Sequence, residues 1–291
     1  MNNKNNSEQN IITAFVLNLL FAVIELAGGL ITNSVAILSD AIHDFGDSLS
    51  LGVAFYLQKI SKKRGDDKYT YGYRRFSLLG SVFISVILLF GSLYMVKESV
   101  IRLFNPQEAN AEGMMILSVL GIVVNGMAVF KLRKGISHNE RAVKLHMLED
   151  VLGWVAVLFG SIVMKFTGIS QIDPILSLLI AIWIIYNVYK NLKETLAIML
   201  QHVPVDINIS QLEKDLKEIE GILKIIDLHI WSIDGEKNIS SVHAIAKDNI
   251  DQSLIKKEMR EIFEKYSIEH STIEFDNEST IEDVLKSKDC R

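Results

Sequence analysis

Residues 39–52, SDAIHDFGDSLSLG, and residues 143–154, VKLHMLEDVLGW, share one short pattern, a histidine followed four residues later by an aspartate. The pairs are His43 with Asp47 and His146 with Asp150. Residues four apart on a helix lie on the same face, about 6 Å from each other. Each segment therefore offers one imidazole and one carboxylate to a neighbouring helix. Two such helices together supply the ligands of a tetrahedral site for a divalent metal ion, above all Zn²⁺.

Both patterns lie inside long apolar segments, which makes them more informative than the same spacing on a soluble helix. An aspartate at the centre of a membrane-spanning helix costs about 2.5–3.5 kcal/mol on insertion scales. Such residues therefore tend to mark the pathway of an ion or a substrate. Two carboxylates also balance the charge of one divalent cation.

The composition, 49% hydrophobic with a mean hydropathy of +0.26, averages two unlike parts of the chain. Residues 1–10 are polar and are predicted to be disordered, and residues 11–202 hold the long apolar runs. Residues 203–291 are polar and carry 12 Lys/Arg against 20 Asp/Glu. We predict a membrane domain at 11–202 and a cytoplasmic acidic domain at 203–291. The acidic charge argues against a nucleic acid partner, and the single cysteine, Cys290, cannot form an internal disulfide.

Six segments reach the roughly 20 residues that are needed to cross the hydrocarbon core of a bilayer. They are about 11–32, 35–58, 77–101, 113–132, 143–165 and 172–191. Lysines and arginines concentrate between the second and third segments and between the fourth and fifth. By the positive-inside rule, we expect a multi-pass protein of the cell membrane with both termini in the cytoplasm. At 1.5 Å per residue, Asp47 and Asp150 then lie at a similar depth of roughly 16 Å on antiparallel helices.

Two further acids lie on the predicted spans and are accessory candidates. Asp40 is three residues before His43 and shares its helical face, so it is either a metal ligand or a hydrogen-bonding residue. Glu25 is deep in the first segment, where a proton carrier or a gate is the functional interpretation and hydrogen bonding is the ordinary one.

The polar part of the chain predicts a small α+β domain with the element order αββαβ, a sheet with two helices on one face. Alternation along the strands places Ile226, Leu228 and Ile230 towards the helices and other side chains on the uncovered face. That face would carry His229, His243, Glu274 and Asp276. Two histidines and two acids there favour a metal site at a subunit junction, and the alternative is an ordinary solvated face.

Four stretches of the sequence resemble the cation diffusion facilitators, and specifically the zinc-transporting bacterial branch of that family. They are NSVAILSDAIHDFGD at 33–47, YTYGYRR at 69–75, HMLEDVLGW at 146–154 and DLHIWSI at 227–233. Together with the six apolar segments, the resemblance covers the chain from about residue 11 to residue 276.

The resemblance implies a homodimer that exports Zn²⁺, and often Cd²⁺ or Co²⁺, from the cytoplasm in exchange for protons. It carries over His43, Asp47, His146 and Asp150 as the transport site and implies no organic cofactor. It also implies that the C-terminal domain is ferredoxin-like, dimerises and binds metal as a regulatory ligand. The loop DDKYTYGYRR departs from the family, because it has tyrosines where some relatives bind an extra ion with histidines.

Two other classes of protein fit parts of this pattern. An intramembrane zinc-dependent hydrolase would keep one coordination position open for water, but no His-Glu-x-x-His pattern is present. A membrane-anchored metal sensor would signal through residues 203–291 and use the spans only as an anchor. A transporter, which is not an enzyme, is the prediction that accounts for the buried ligands.

Overall fold

The structure is a computed structural model that describes residues 16, 19–131, 138–248 and 250–277. Within these ranges it describes no side chain at 50, 51, 54, 55, 58, 131, 138–146 and 277. Six long helices come first in the described chain. They are α1 (Leu19–Thr32), α2 (Val35–Ser61), α3 (Phe76–Phe104), α4 (Ala111–Lys131), α5 (His138–Thr167) and α6 (Ile172–Met199).

The remaining elements follow in the order predicted from the sequence. They are α7 (Ile209–Lys217), β1 (Ile222–Ser232), β2 (Asn238–Ala246), α8 (Gln252–Lys265) and β3 (Ile268–Asn277). The chain divides into two compact units. The first falls within Met1–Tyr56 and Gly80–Leu192, and the second within Leu57–Leu79 and Lys193–Arg291. The second unit therefore combines the α2–α3 loop with the small α+β domain.

Four of the helices are long and apolar enough to cross a membrane, namely α3, most of α4, α5 from Met147 onwards, and α6. The described part of α1 is apolar but shorter than a membrane span. Helix α2 has 27 residues, and its three aspartates lower its apolar character. Large apolar side chains such as Phe83, Phe90, Phe130 and Phe159 are exposed on these helices, as lipid-facing residues are in membrane proteins.

Contacts at matching heights give the directions of the helices in the first unit. Helices α4 and α5 are antiparallel, because Glu112 at the start of α4 forms an ion pair with Lys165 at the end of α5. Helices α2 and α6 are parallel, since the Asp173 carboxylate accepts hydrogen bonds at the start of α2 and, one turn further, the Ser39 and Ser177 hydroxyls are 2.7 Å apart. Ser99 near the end of α3 donates to Ser177, so α3 runs the opposite way.

A buried apolar cluster joins these helices around one large aromatic side chain. Trp154 of α5 is fully buried and packs edge-on against Phe21 of α1, with the ring centroids 5.6 Å apart. Ile37 of α2 and Met114 of α4 belong to the same cluster. The cluster lies one helical turn from Asp150, so packing in the core sets the position of that carboxylate.

The small domain is a three-stranded sheet with the strand order β1-β2-β3, in which β1 and β2 are antiparallel and β2 and β3 are parallel. Helices α7 and α8 bury Leu212, Leu216, Met259 and Phe263 in a core that also holds Val242 of β2. Each helix begins with a side-chain cap, Asn208 for α7 and Asp251 for α8, which accepts a hydrogen bond from a backbone N–H of the first turn.

The strand alternation predicted for β1 is wrong at its beginning. The β1–β2 register shifts between Ile225 and Asp227, and an extra residue of this kind exchanges the faces of a strand. As a result Ile225, and not Ile226, joins the buried core, whereas Ile230 lies in the core as predicted. Along β2 and β3, residues that alternate with the predicted outward-facing His243 and Glu274, such as Ala244 and Phe275, pack in or against the core.

Candidate metal centre

Three side chains from α2 and α5 converge in the first unit. One ligand atom each from His43, Asp44 and Asp150 lies within 4.8 Å of the other two. Asp44 and Asp150 are buried and His43 is partly buried. Among the described residues, this is the one group of three or more His, Cys, Asp or Glu side chains that is close enough to hold a metal ion. The arrangement brings one imidazole and two carboxylates to one point between two helices.

Helix α2 presents its polar side chains as one continuous ridge. Asp40 lies three residues before His43 and four before Asp44, and these two lie four and three residues before Asp47, which places the four side chains over adjacent turns of one face. The neighbouring helix α3 approaches closely at Gly46, where an added Cβ would lie 2.1 Å from the Leu88 side chain. The absence of a side chain at Gly46 lets α3 pack against α2 at the height of the polar ridge.

The position of Asp150 on α5 depends on the packing of Trp154, which lies one helical turn later. The indole of Trp154 lies over Gly121 of α4, where an added Cβ would be 2.4 Å from a ring carbon. A side chain at Gly121 would push the indole away and with it the turn of α5 that carries Asp150. The close approach of α4 and α5 therefore requires glycine at this position.

The structure places the four predicted transport ligands as follows. His43 and Asp150 come together in the three-residue group, and the Asp47 carboxylate is 3.6 Å from His43 Nε2. His146 lies in α5 one turn before Asp150, but its side chain is outside the described residues. Asp44 completes the group, although it was not among the predicted ligands.

Asp44 was not predicted as a ligand, because a pattern of a histidine and an acid exactly four residues apart does not include it. A signal was present, since Asp44 is four residues after Asp40 and three before Asp47 and must share their face. The proximity of Asp44 to Asp150 could not be predicted from spacing along α2, because the distance between these residues depends on how α5 packs against α2.

The two accessory candidates lie near the same group. The Glu25 side chain is fully buried. It interacts electrostatically with Asp40 and Asp150, and Asp40 is itself 7% exposed. The metal group thus lies in a strongly acidic environment that would favour a bound cation.

The four candidates in the C-terminal domain are only partly brought together. His243 Nε2 is 2.9 Å from Asp276 Oδ2, and Glu274 is paired with His243 across the β2–β3 ladder. His229 is exposed and is paired with Ser241. Within the described residues of this domain, no three of these side chains are close enough to share one ion.

The family profile of the cation efflux transmembrane domain matches residues 11–200. The cadmium, cobalt and zinc/H(+)-K(+) antiporter of Bacillus subtilis is 32% identical over 284 residues, which cover 95% of this chain and 91% of that protein. The metal cation efflux system protein CzcD of Cupriavidus metallidurans is 32% identical over 275 residues, 93% of this chain and 87% of that protein.

The zinc transporter ZitB of Yersinia pseudotuberculosis is 31% identical over 278 residues, which cover 94% of this chain and 89% of that protein. These relatives are transporters and not enzymes. The similarity extends through both the helical part and the α+β domain. The profile match over residues 11–200 and the similarity to these relatives over more than nine-tenths of the chain show that this chain is a member of the cation efflux family.

Proposed function

We propose that this protein exports divalent metal ions from the cytoplasm, above all Zn²⁺ and also Cd²⁺ and Co²⁺, in exchange for protons. The transport site comprises His43, Asp47, His146 and Asp150. The observation that carries the proposal is the convergence of His43 and Asp150 from two helices at a buried point. The printed names of the relatives, which include cadmium, cobalt and zinc antiport and zinc transport, support the choice of ions.

Metal and protons compete for the same atoms in this mechanism. A metal ion requires neutral imidazole and ionised carboxylate, whereas protons occupy the same lone pairs. Histidine has an ordinary pKa near 6.5, within the range of physiological pH. A more acidic outer side therefore favours release of the metal there and return of the site in its protonated form.

The membrane arrangement we propose has six spans formed by α1 to α6, with both termini in the cytoplasm of a multi-pass cell-membrane protein. The alternating directions of α2, α3 and α6 support it. The basic loops between α2 and α3 and between α4 and α5 give the orientation. In this arrangement α2 and α5 are antiparallel, and their ligands meet far from either membrane surface.

We further propose a homodimer in which the ferredoxin-like C-terminal domain binds regulatory metal. The close pair of His243 and Asp276 supplies two donors, and His229 and Glu274 or a second copy of the chain would supply the rest. A membrane-anchored sensor is the second candidate. Deletion of residues 203–291 separates the two, because a transporter retains weakened flux when the domain is removed, whereas a sensor loses its signalling output.

The direct test is transport by purified protein in proteoliposomes with an imposed proton gradient. We expect Zn²⁺ uptake that depends on the gradient and that is lost in Asp47→Ala and in Asp150→Ala, since each removes a carboxylate from the site. Asp206→Ala, at an exposed position after α6, is the matched control and should transport like the wild type.

Two results would contradict the proposal. Wild-type flux that does not respond to the proton gradient would exclude antiport. Wild-type rates in both Asp47→Ala and Asp150→Ala would show that the transport site lies elsewhere.

A further inference from the structure

Asp44 is a buried acid of α2 that the four-ligand site leaves without a role. Its side chain is fully buried, and neither oxygen has a hydrogen-bond partner among the described residues. A buried carboxylate is strongly unfavourable unless it is hydrogen-bonded or paired with a positive charge. Within the described chain, neither a helix cap nor an ion pair explains why this residue is an aspartate.

The charged groups around Asp44 increase the free-energy cost of burying its carboxylate. The groups that interact with it electrostatically are Glu25, Asp150, Asp40 and Asp47, and all of them are acids. A cation bound between these carboxylates would offset their mutual repulsion, because each carboxylate would be attracted to the same ion. The requirement of Asp44 for a positive partner points to the ion that the neighbouring side chains bind.

The geometry agrees with direct contact between Asp44 and that ion. One Asp44 oxygen lies within 4.8 Å of a His43 nitrogen and of an Asp150 oxygen. Ligands that are each about 2 Å from a Zn²⁺ ion lie roughly 3–4 Å from one another. A contraction of about 1 Å would therefore bring all three atoms to bonding distance of one ion.

We propose that Asp44 is a direct ligand of the transported ion, together with His43 and Asp150. This inference rests on the proposed function and adds a carboxylate to its ligand set. Oxygen ligands favour harder cations. The chain would accordingly accept Co²⁺ and Mn²⁺ more readily, relative to Cd²⁺, than a site with two histidines and two aspartates alone.

The test compares Asp44→Asn with Asp40→Asn in full-length protein purified in detergent. Both variants remove one negative charge from the same face of α2, one helical turn apart, but Asp40 lies outside the three-residue group. Equilibrium binding is measured with Zn²⁺, Cd²⁺, Co²⁺ and Mn²⁺. We expect Kd to rise about tenfold or more in Asp44→Asn, since even the loss of an outer hydrogen-bonding partner costs about 10–100-fold in metal affinity. The rise should be larger for Mn²⁺ than for Cd²⁺ and smaller throughout in Asp40→Asn.

Visible absorption of bound Co²⁺ gives a readout that a purely electrostatic role would not change. Its ligand-field bands depend on the number and type of coordinating atoms, so they should shift in Asp44→Asn and stay unchanged in Asp40→Asn. Should Asp44→Asn fail to fold, as judged by size-exclusion chromatography, Asp44→Ser replaces it under the same criteria.

An unchanged Kd in the Asp44 variant, or equal losses in both variants with an unaltered Co²⁺ spectrum, would overturn the inference. These results are distinguishable from failure of the proposed function. If the wild type transports Zn²⁺ and Asp47→Ala abolishes transport while Asp44→Asn binds like the wild type, only the role of Asp44 is excluded. If the wild type binds none of the four ions, the proposed function and this inference fail together.

Discussion

His43 contributes the single imidazole of the described metal group, whose other two members are carboxylates. Imidazole nitrogen is a softer ligand than carboxylate oxygen and suits Zn²⁺, whereas oxygen ligands suit Mn²⁺ and Mg²⁺. Loss of this imidazole from the proposed transport site would therefore favour ions that prefer oxygen ligands. Its position on α2 next to the close approach at Gly46 leaves little freedom to compensate by moving the backbone.

Replacement His43→Asp should shift selectivity from Zn²⁺ towards Mn²⁺, because it exchanges nitrogen for oxygen while keeping a short side chain. The ratio of Zn²⁺ to Mn²⁺ flux in proteoliposomes measures the shift, and we expect it to fall about tenfold or more, in keeping with the 10–100-fold effects of altered metal environments. His270→Asp, at an exposed position of β3, is the control. An unchanged flux ratio would remove His43 from the ligand set.

A buried carboxylate of α6 binds the first turn of helix α2. Asp173 in the first turn of α6 accepts hydrogen bonds from the Ser34 hydroxyl at 2.5 Å and from the backbone N–H groups of Val35 and Ala36 at 2.7 and 3.2 Å. These N–H groups have no partner within α2 because they belong to its first turn. Asp173 is also favourably placed at the positive ends of two helix dipoles. It thereby sets the height of α2, and hence of His43, relative to α6.

Replacement Asp173→Ala should destabilise the folded protein, since it leaves two backbone N–H groups and the Ser34 hydroxyl buried without their acceptor. An unsatisfied buried polar group costs about 1–3 kcal/mol, so we expect a clear fall in the thermal unfolding midpoint in detergent. Asp173→Asn, which keeps one acceptor oxygen, should be intermediate, and Asp206→Ala should match the wild type. Equal unfolding midpoints for Asp173→Ala and the wild type would show that the hydrogen bonds to Asp173 do not stabilise the folded protein.

In the second compact unit, the loop between α2 and α3 is bound to the C-terminal domain. Arg74 of the loop forms an ion pair of 3.1 Å with Asp234 in the turn between β1 and β2. The loop has its own internal structure, because Asp66 accepts hydrogen bonds from the backbone N–H of Tyr69 and from the Tyr73 hydroxyl. Tyr69 and Tyr73 thus have a structural role in this loop.

The Arg74–Asp234 contact should depend on pH. Burial of Asp234 acts to raise its pKa, but hydrogen bonds from the backbone of Lys237 and Glu236 and from Arg74 outweigh it, so the pKa lies below its ordinary value. A carboxyl group whose pKa is lower in the folded than in the unfolded protein stabilises the fold at pH values above its pKa in the unfolded protein. This stabilisation is lost as the pH falls through the lower pKa of the folded protein. Above about pH 5 the contact is therefore complete, and it weakens in stronger acid.

Hydrogen exchange of residues 57–79 in the full-length protein measures this effect. At pH 7, Asp234→Asn should increase exchange in the loop by up to about fivefold, the equivalent of the roughly 1 kcal/mol upper limit for a partly exposed ion pair. The difference between variant and wild type should shrink in acid. Glu236→Gln, in the same turn, is the control, and an identical loop exchange in wild type and Asp234→Asn at pH 7 would contradict the role of the pair.

The sequence by itself determined what depends on residues that are close along the chain. The periodicity of apolar residues predicted the order αββαβ, and the four-residue spacing placed His43 and Asp47 on one face of a helix. Tertiary structure decided what depends on distant residues. The approach of Asp44 to Asp150, the cap that Asp173 forms 138 residues away from Val35, and the β1 bulge that buries Ile225 all belong to this second kind. Spacing along a helix or strand determines which side chains share a face, but only the packing of separate elements determines what that face meets.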